Sequence, residues 1–156
     1  MRLIAHRGNI NGKFESYENE PNYIDAAIDS GFDVEVDVWV TPEHENIIFL
    51  GHDKPQYGVA DTFFKKRIDK LWVHCKNIDA ITLFQHNDRL KDCHYFWHQE
   101  DDITLTSRNI LWTYPDKVLS KNSICVMPEL SNQEIPDFVY GICSDYIMDY
   151  TIYNVY

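Results

Sequence analysis

Eight short runs of apolar, β-branched or aromatic residues recur along the chain, and each gives way to polar side chains able to do chemistry. The runs are Leu3–His6, Val34–Trp39, Leu71–Lys76, Tyr95–Gln99, Thr104–Ser107, Ile110–Tyr114, Ile124–Glu129 and Ile142–Asp145. Segments this short, bounded by turn-forming residues, read as strands. Between the first two, Asn19–Ser30 reads as a helix. Tyr23, Ala26, Ala27 and Ser30 recur at helical spacing, Pro21 suits a first turn, and Gly31 follows as a stop. A second helix is expected over Asn77–Leu90, with Ile78, Ile81 and Leu83 on its apolar side and Asn77 as its cap. Later connections are too short for full helices. Typical β/α barrels need about 250 residues, whereas this chain has 156. The expectation is therefore an α/β fold, a compact TIM-like β/α barrel with shortened or missing outer helices.

No Gly/Ser-rich linker, low-complexity run or repeat divides the sequence, so residues 1–156 are expected to form one domain. A hydrophobic share of 44% is enough for a single continuous core. The formal net charge of -11 repels polyanions, which argues against nucleic acid as a partner. A local cationic spot beside a bound metal remains compatible with a small phosphodiester. Cys75, Cys93, Cys125 and Cys143 form no C-x-x-C pair, so buried free thiols are expected rather than a zinc knuckle or redox motif. No apolar run approaches the ~20 residues of a membrane span, and Met1 leads directly into the first strand-like run. These features predict a cytoplasmic protein without stable membrane insertion, and its length also allows a homo-oligomer.

Three motifs carry chemistry. His6-Arg7-Gly8 ends the first run and combines an imidazole, a guanidinium fork suited to phosphate oxygens and a residue that permits close backbone approach. In Glu35-Val36-Asp37, strand alternation puts both acids on one face and Val34, Val36 and Val38 on the other. Two inward carboxylates make sense where a hard divalent cation neutralises them. Gly51-His52-Asp53 returns a second imidazole to a loop, so that His6 and His52 can divide acid and base duties.

In order and spacing, His6-Arg7-Gly8, Glu18-Asn19, Ala26-Ala27, Gly31, Glu35-x-Asp37 and His52-Asp53 resemble the glycerophosphodiester phosphodiesterase family over residues 1–53. Lys76 is similar to that family's strand-three lysine, and Ile142–Tyr146 to its closing strand. The resemblance implies that His6 and His52 are the acid/base pair and that Glu35 and Asp37 bind one divalent cation (Mg²⁺, Ca²⁺ or Mn²⁺). It also implies that Arg7 and Lys76 hold the phosphate, and that a neighbouring substrate hydroxyl attacks first to give a cyclic phosphate. Where the family has a third metal carboxylate, this chain has His74, which as a ligand would favour transition metals; Glu129 is the alternative acid.

The polar stretch Phe96–Asp102, together with Thr104–Ser107, Trp112 and Tyr114, reads as a wall that recognises the alcohol side of a substrate, with His98 and Trp112 as contacts. The function expected is metal-dependent cleavage of a small glycerophosphodiester-like substrate. Two alternatives are a phospholipase D-like lyase acting on lysophospholipids and a non-catalytic barrel that binds a phosphate ligand.

Overall fold

The computed structural model describes residues 1–44, 47–131 and 133–154. In chain order the elements are β1 (Arg2–His6), α1 (Pro21–Asp29), β2 (Asp33–Val40), β3 (Ile48–Leu50), β4 (Tyr57–Val59), α2 (Asp61–Lys65) and β5 (Leu71–Cys75). They continue with α3 (Ile78–His86), β6 (His94–Trp97), β7 (Ile103–Leu105), β8 (Leu111–Thr113), β9 (Ser123–Val126) and β10 (Gly141–Ser144). Short 3₁₀ segments cover Pro128–Leu130 and Ile147–Asn154. Helix α1 begins on Pro21, two residues later than expected, and is capped by Glu20, whose carboxylate accepts the Tyr23 backbone N–H at 3.0 Å. Asn77 caps α3 through the Ala80 N–H at 3.0 Å.

Parallel ladders run β6-β5-β2-β1-β10-β9-β8, and β7 joins β8 antiparallel. The overhanging end of β2 pairs with β3, which forms an antiparallel hairpin with β4. The two ends of the path, β6 and β7, meet without a strand ladder. Three hydrogen bonds tie them: Ser107 N–H to Tyr95 O at 2.8 Å, Tyr95 N–H to Ser107 Oγ at 3.0 Å, and Thr104 Oγ1 to Trp97 O at 2.9 Å.

Alternation sorts the side chains into two cores. Leu3, Ala5, Val34, Val36, Val38, Leu71, Val73 and Cys75 pack outward under α1 and α3, against Ile24, Ala27 and Phe84. Ile4, Trp72, Phe96, Trp112, Ile124, Val126 and Cys143 pack together on the opposite face. That inner layer has polar groups on both sides. Toward the strand N-termini, buried Asp33 accepts from Trp72 Nε1 at 3.3 Å and pairs with Arg2 and Lys70, each at 3.2 Å. Toward the strand C-termini lie His6, Glu35, Asp37 and His74.

Each of the eight expected runs overlaps a strand, but the Thr104–Ser107 run belongs to antiparallel β7, so its C-terminal end faces the opposite end of the sheet. The hairpin β3–β4, helix α2 and the C-terminal 3₁₀ segment were not anticipated by periodicity, being three to eight residues long. All four cysteines are buried free thiols. Among the described residues, no helix is long and apolar enough to cross a membrane.

Candidate functional site

Register assembles the site. On neighbouring parallel strands, His6 stands opposite Glu35 and Asp37 opposite His74, so four inward side chains share one patch at the strand C-termini. One ligand atom from each of Glu35, Asp37 and His74 lies within 4.8 Å of the others. His74 Nδ1 is 3.0 Å from Asp37 Oδ1 and 3.6 Å from Glu35 Oε1. Its Nε2 bonds the His98 carbonyl oxygen at 3.0 Å. Because a carbonyl only accepts, Nε2 carries the proton, and Nδ1 is the nitrogen turned to the acids.

Asp37 is fully buried, and its groups are clamped. Asn19 donates from Nδ2 to Asp37 Oδ2 at 3.0 Å and accepts the Asp37 N–H at 2.8 Å. Asn19 manages this from a left-handed backbone, φ 64°, which Asn tolerates. Arg7 Nε lies 2.9 Å from Asp37 Oδ2, and Lys76 Nζ 3.3 Å from Oδ1. Burial alone would raise the Asp37 carboxyl, but His74, Arg7 and Lys76 hold it well below the usual carboxylate range. Asp37 Oδ1 is nonetheless buried without an aligned hydrogen bond. A buried carboxylate oxygen left in that condition, within reach of a second acid and an imidazole nitrogen, fits a cation ligand.

His6 has its own carboxylate. Its Nδ1 lies 2.8 Å from Asp145 Oδ1, which also accepts Asn9 Nδ2 at 2.8 Å. Both bonds lower the Asp145 carboxyl against the upward push of burial, so it is an ionised acceptor and His6 holds its proton on Nδ1. The free Nε2 sits 4.0 Å from Glu35 Oε2. Behind it, Glu18 receives Arg7 Nη1 and Asn9 Nδ2, each at 3.0 Å, which orders the loop after β1. The roles of Asn9, Glu18, Asn19 and Asp145 were not read from the sequence. Glu18-Asn19 was visible as a motif, but its work, bracing Arg7 and Asp37, needs the fold to be seen.

A cleft of about 710 Å³ opens over this patch and is lined by His6, Arg7, Glu35, His52, His74 and Lys76, among others. His52 is 40% exposed and pairs through Nδ1 with Asp53 Oδ1 at 2.6 Å. It reaches the cleft because Gly51 turns the chain at φ 146°, where an added Cβ would strike the Lys54 carbonyl. Gly51→Ala is expected to cost about 1–3 kcal/mol through that strain, and to displace His52 while leaving the bonds of His6 intact. Chemical denaturation, with NMR of the two imidazoles, checks both parts.

His98 and Trp112 also line the cleft, but differently from expectation. Trp112 is only 4% exposed, and its ring packs against Phe96 at 4.7 Å and Trp72 at 5.9 Å. The His98 side chain is buried with neither ring nitrogen hydrogen-bonded, and burial, with His74 nearby, pushes its pKa down to about 4. Thr104–Ser107 takes no part in this cleft. Thr106 is buried against His94 Nε2 at 2.7 Å, because β7 runs antiparallel and carries those residues away. Glu129 is not among the metal-ligand group either. Its Oε1 accepts Ser144 Oγ at 2.8 Å and the Asp145 N–H at 2.9 Å, bracing the strand end that holds Asp145.

In the metal-free protein, burial would depress His74, but its pairing with the negative charges of Asp37 and Glu35 outweighs that and raises its pKa to about 9. A raised folded pKa contributes stability that is complete below the unfolded value, ~6.5, and is lost as pH climbs through about 9. Metal-free protein is therefore expected to lose on the order of 3 kcal/mol between pH 6.5 and 9.5, a loss that His74→Gln removes. Denaturant midpoints across that range measure it. Comparison with protein-family models, curated proteins and solved structures finds no match.

Proposed function

We propose that the chain is a metal-dependent phosphodiesterase on a compact β/α barrel, in which β6 and β7 close the circuit of eight strands. The observation that carries this reading is the convergence of two separate histidine–carboxylate pairs and a Glu35–Asp37–His74 cluster on one cleft. Charge supports it as well. Among the described residues, the permanent cations that form salt bridges within the group of Glu18, Glu35, Asp37 and Asp145 are Arg7 and Lys76, leaving an excess of negative charge that a divalent ion would offset. Glu35, Asp37 and His74 would hold it, and one nitrogen among oxygen ligands suits Mn²⁺ better than Mg²⁺ or Ca²⁺. When bound, such an ion supplies charge stabilisation at a phosphoryl oxygen.

The chain's own groups do the rest. His6 Nε2, freed by the proton held toward Asp145, takes the proton from an attacking hydroxyl as its oxygen bonds to phosphorus. His52 gives a proton to the departing alcohol oxygen as its bond to phosphorus breaks. Arg7 and Lys76 offset the negative charge of the phosphate. With a hydroxyl of the substrate as nucleophile, the product is a cyclic phosphate; with water, a monoester. The substrate is a small molecule, since the net charge of -11 opposes nucleic acid. Four buried free thiols suit a reducing, cytoplasmic setting.

Phosphorus NMR of a glycerophosphodiester incubated with protein and Mn²⁺ tests the proposal. Growth of a cyclic phosphate or monoester signal, abolished by EDTA, is the expected result. No product with Mn²⁺, Mg²⁺ or Ca²⁺ would leave a phosphate-binding module instead.

A further inference from the structure

The charged groups of the cleft come from β1, β2, β5 and the loops that follow β1, β3 and β10, the last contributing Asp145. Another part of the wall, from β8, β9 and the turns that follow them, is formed by Trp112, Tyr114, Pro115, Val126, Met127 and Leu130, none of them charged. We propose, resting on the phosphodiesterase reading, that the site takes diesters whose alcohol part is small, uncharged and mainly apolar, seated on Tyr114, Met127 and Leu130.

Two features of the wall point to a ligand rather than to core packing. Leu130 is 71% exposed at the rim, where it contributes little to the interior. Met127 adopts a left-handed backbone, φ 47°, a conformation that costs a non-glycine residue free energy and persists only where its surroundings enforce it. Here the surroundings do so. The Met127 N–H bonds Cys143 O at 2.7 Å, its carbonyl accepts the Leu130 N–H at 3.0 Å, and Glu129 bonds Ser144 and the Asp145 N–H. The strained turn is thus fastened to the same strand end that carries the carboxylate of His6, which sets the apolar wall at a fixed place beside the reacting centre.

The wall's chemistry selects among alcohols. A cationic alcohol would find no carboxylate among these six side chains, and a polyol would find a single hydroxyl, that of Tyr114. At about 710 Å³ the cleft is the size of a small-molecule site, not of a two-chain lipid. A phenyl- or hexyl-sized group beside the phosphate fits both its size and its polarity.

Calorimetric titration in Mn²⁺ buffer with inorganic phosphate, glycerol 3-phosphate and benzyl phosphate tests the inference through binding alone. Benzyl phosphate is expected to bind roughly tenfold tighter than glycerol 3-phosphate, the usual return on burying one ring after ordering costs. Leu130→Ser and Tyr114→Ser, both at exposed positions, should each shrink that gap severalfold without changing the affinity for inorganic phosphate or the melting temperature. Equal affinity of the two esters, or a gap that survives both substitutions, overturns the proposed substrate class while leaving the phosphodiesterase reading intact. If none of the three ligands binds, the phosphodiesterase reading falls and this inference falls with it.

Discussion

His6→Ala should lower phosphodiester turnover by about 10²- to 10⁴-fold, the range for one proton-transfer group. The fold should survive the change, because His6 lies at the polar end of β1 and leaves the buried Ile4 and Ala5 untouched. His52→Ala should cost a similar factor with still less effect on stability, since that side chain is 40% exposed. Asp145→Asn discriminates more finely. His6 Nδ1 and Asn9 Nδ2 both meet Asp145 Oδ1. An amide either keeps its oxygen there without the charge that supports a protonated His6, or turns its NH₂ there and shifts the His6 proton to Nε2. A loss approaching that of His6→Ala, with an unchanged melting temperature, is the expected result. Steady-state rates for the three variants, alongside thermal denaturation, decide whether these imidazoles transfer protons or merely occupy the cleft.

The largest stability effect is expected at Asp37. Its carboxylate faces Arg7, His74 and Lys76 from full burial, and its removal strands those cations in a poorly solvated site. Asp37→Ala should therefore destabilise the metal-free protein by about 3–5 kcal/mol, and abolish Mn²⁺ binding as well. Asp37→Asn is the gentler probe, for its side-chain oxygen can still accept Asn19 Nδ2 while the backbone N–H keeps its bond to Asn19 Oδ1. It should lose metal affinity while retaining more of the stability. Equilibrium denaturation combined with metal titration separates the two outcomes.

Much of this architecture was written in strand alternation. Val34, Val36 and Val38 announced one buried face of β2, so Glu35 and Asp37 had to share the other, and Leu71, Val73 and Cys75 placed His74 on the matching side of β5. What alternation does not encode is direction and register. Nothing in Thr104–Ser107 says that β7 runs antiparallel, so its polar residues seemed to belong with the cleft although the fold carries them to His94. Trp112 lines the cleft, but the packing of its indole on Phe96 and Trp72, which leaves it 4% exposed, is not legible in the linear sequence. The role of Asp145 is not legible in the sequence, because its partner, His6, lies 139 positions away. Glu129 looked like a spare ligand and instead braces Asp145, a distinction set by the Pro128–Leu130 turn.

Spin-echo EPR of the protein titrated with Mn²⁺ reaches the heart of the matter, because it counts ions and detects coordinated imidazole nitrogen at once. One Mn²⁺ per chain is expected, with nitrogen modulation from a single histidine that disappears in His74→Gln and persists in His98→Gln. Failure to bind one equivalent, or binding with no nitrogen modulation, would contradict a cation seated between Glu35, Asp37 and His74.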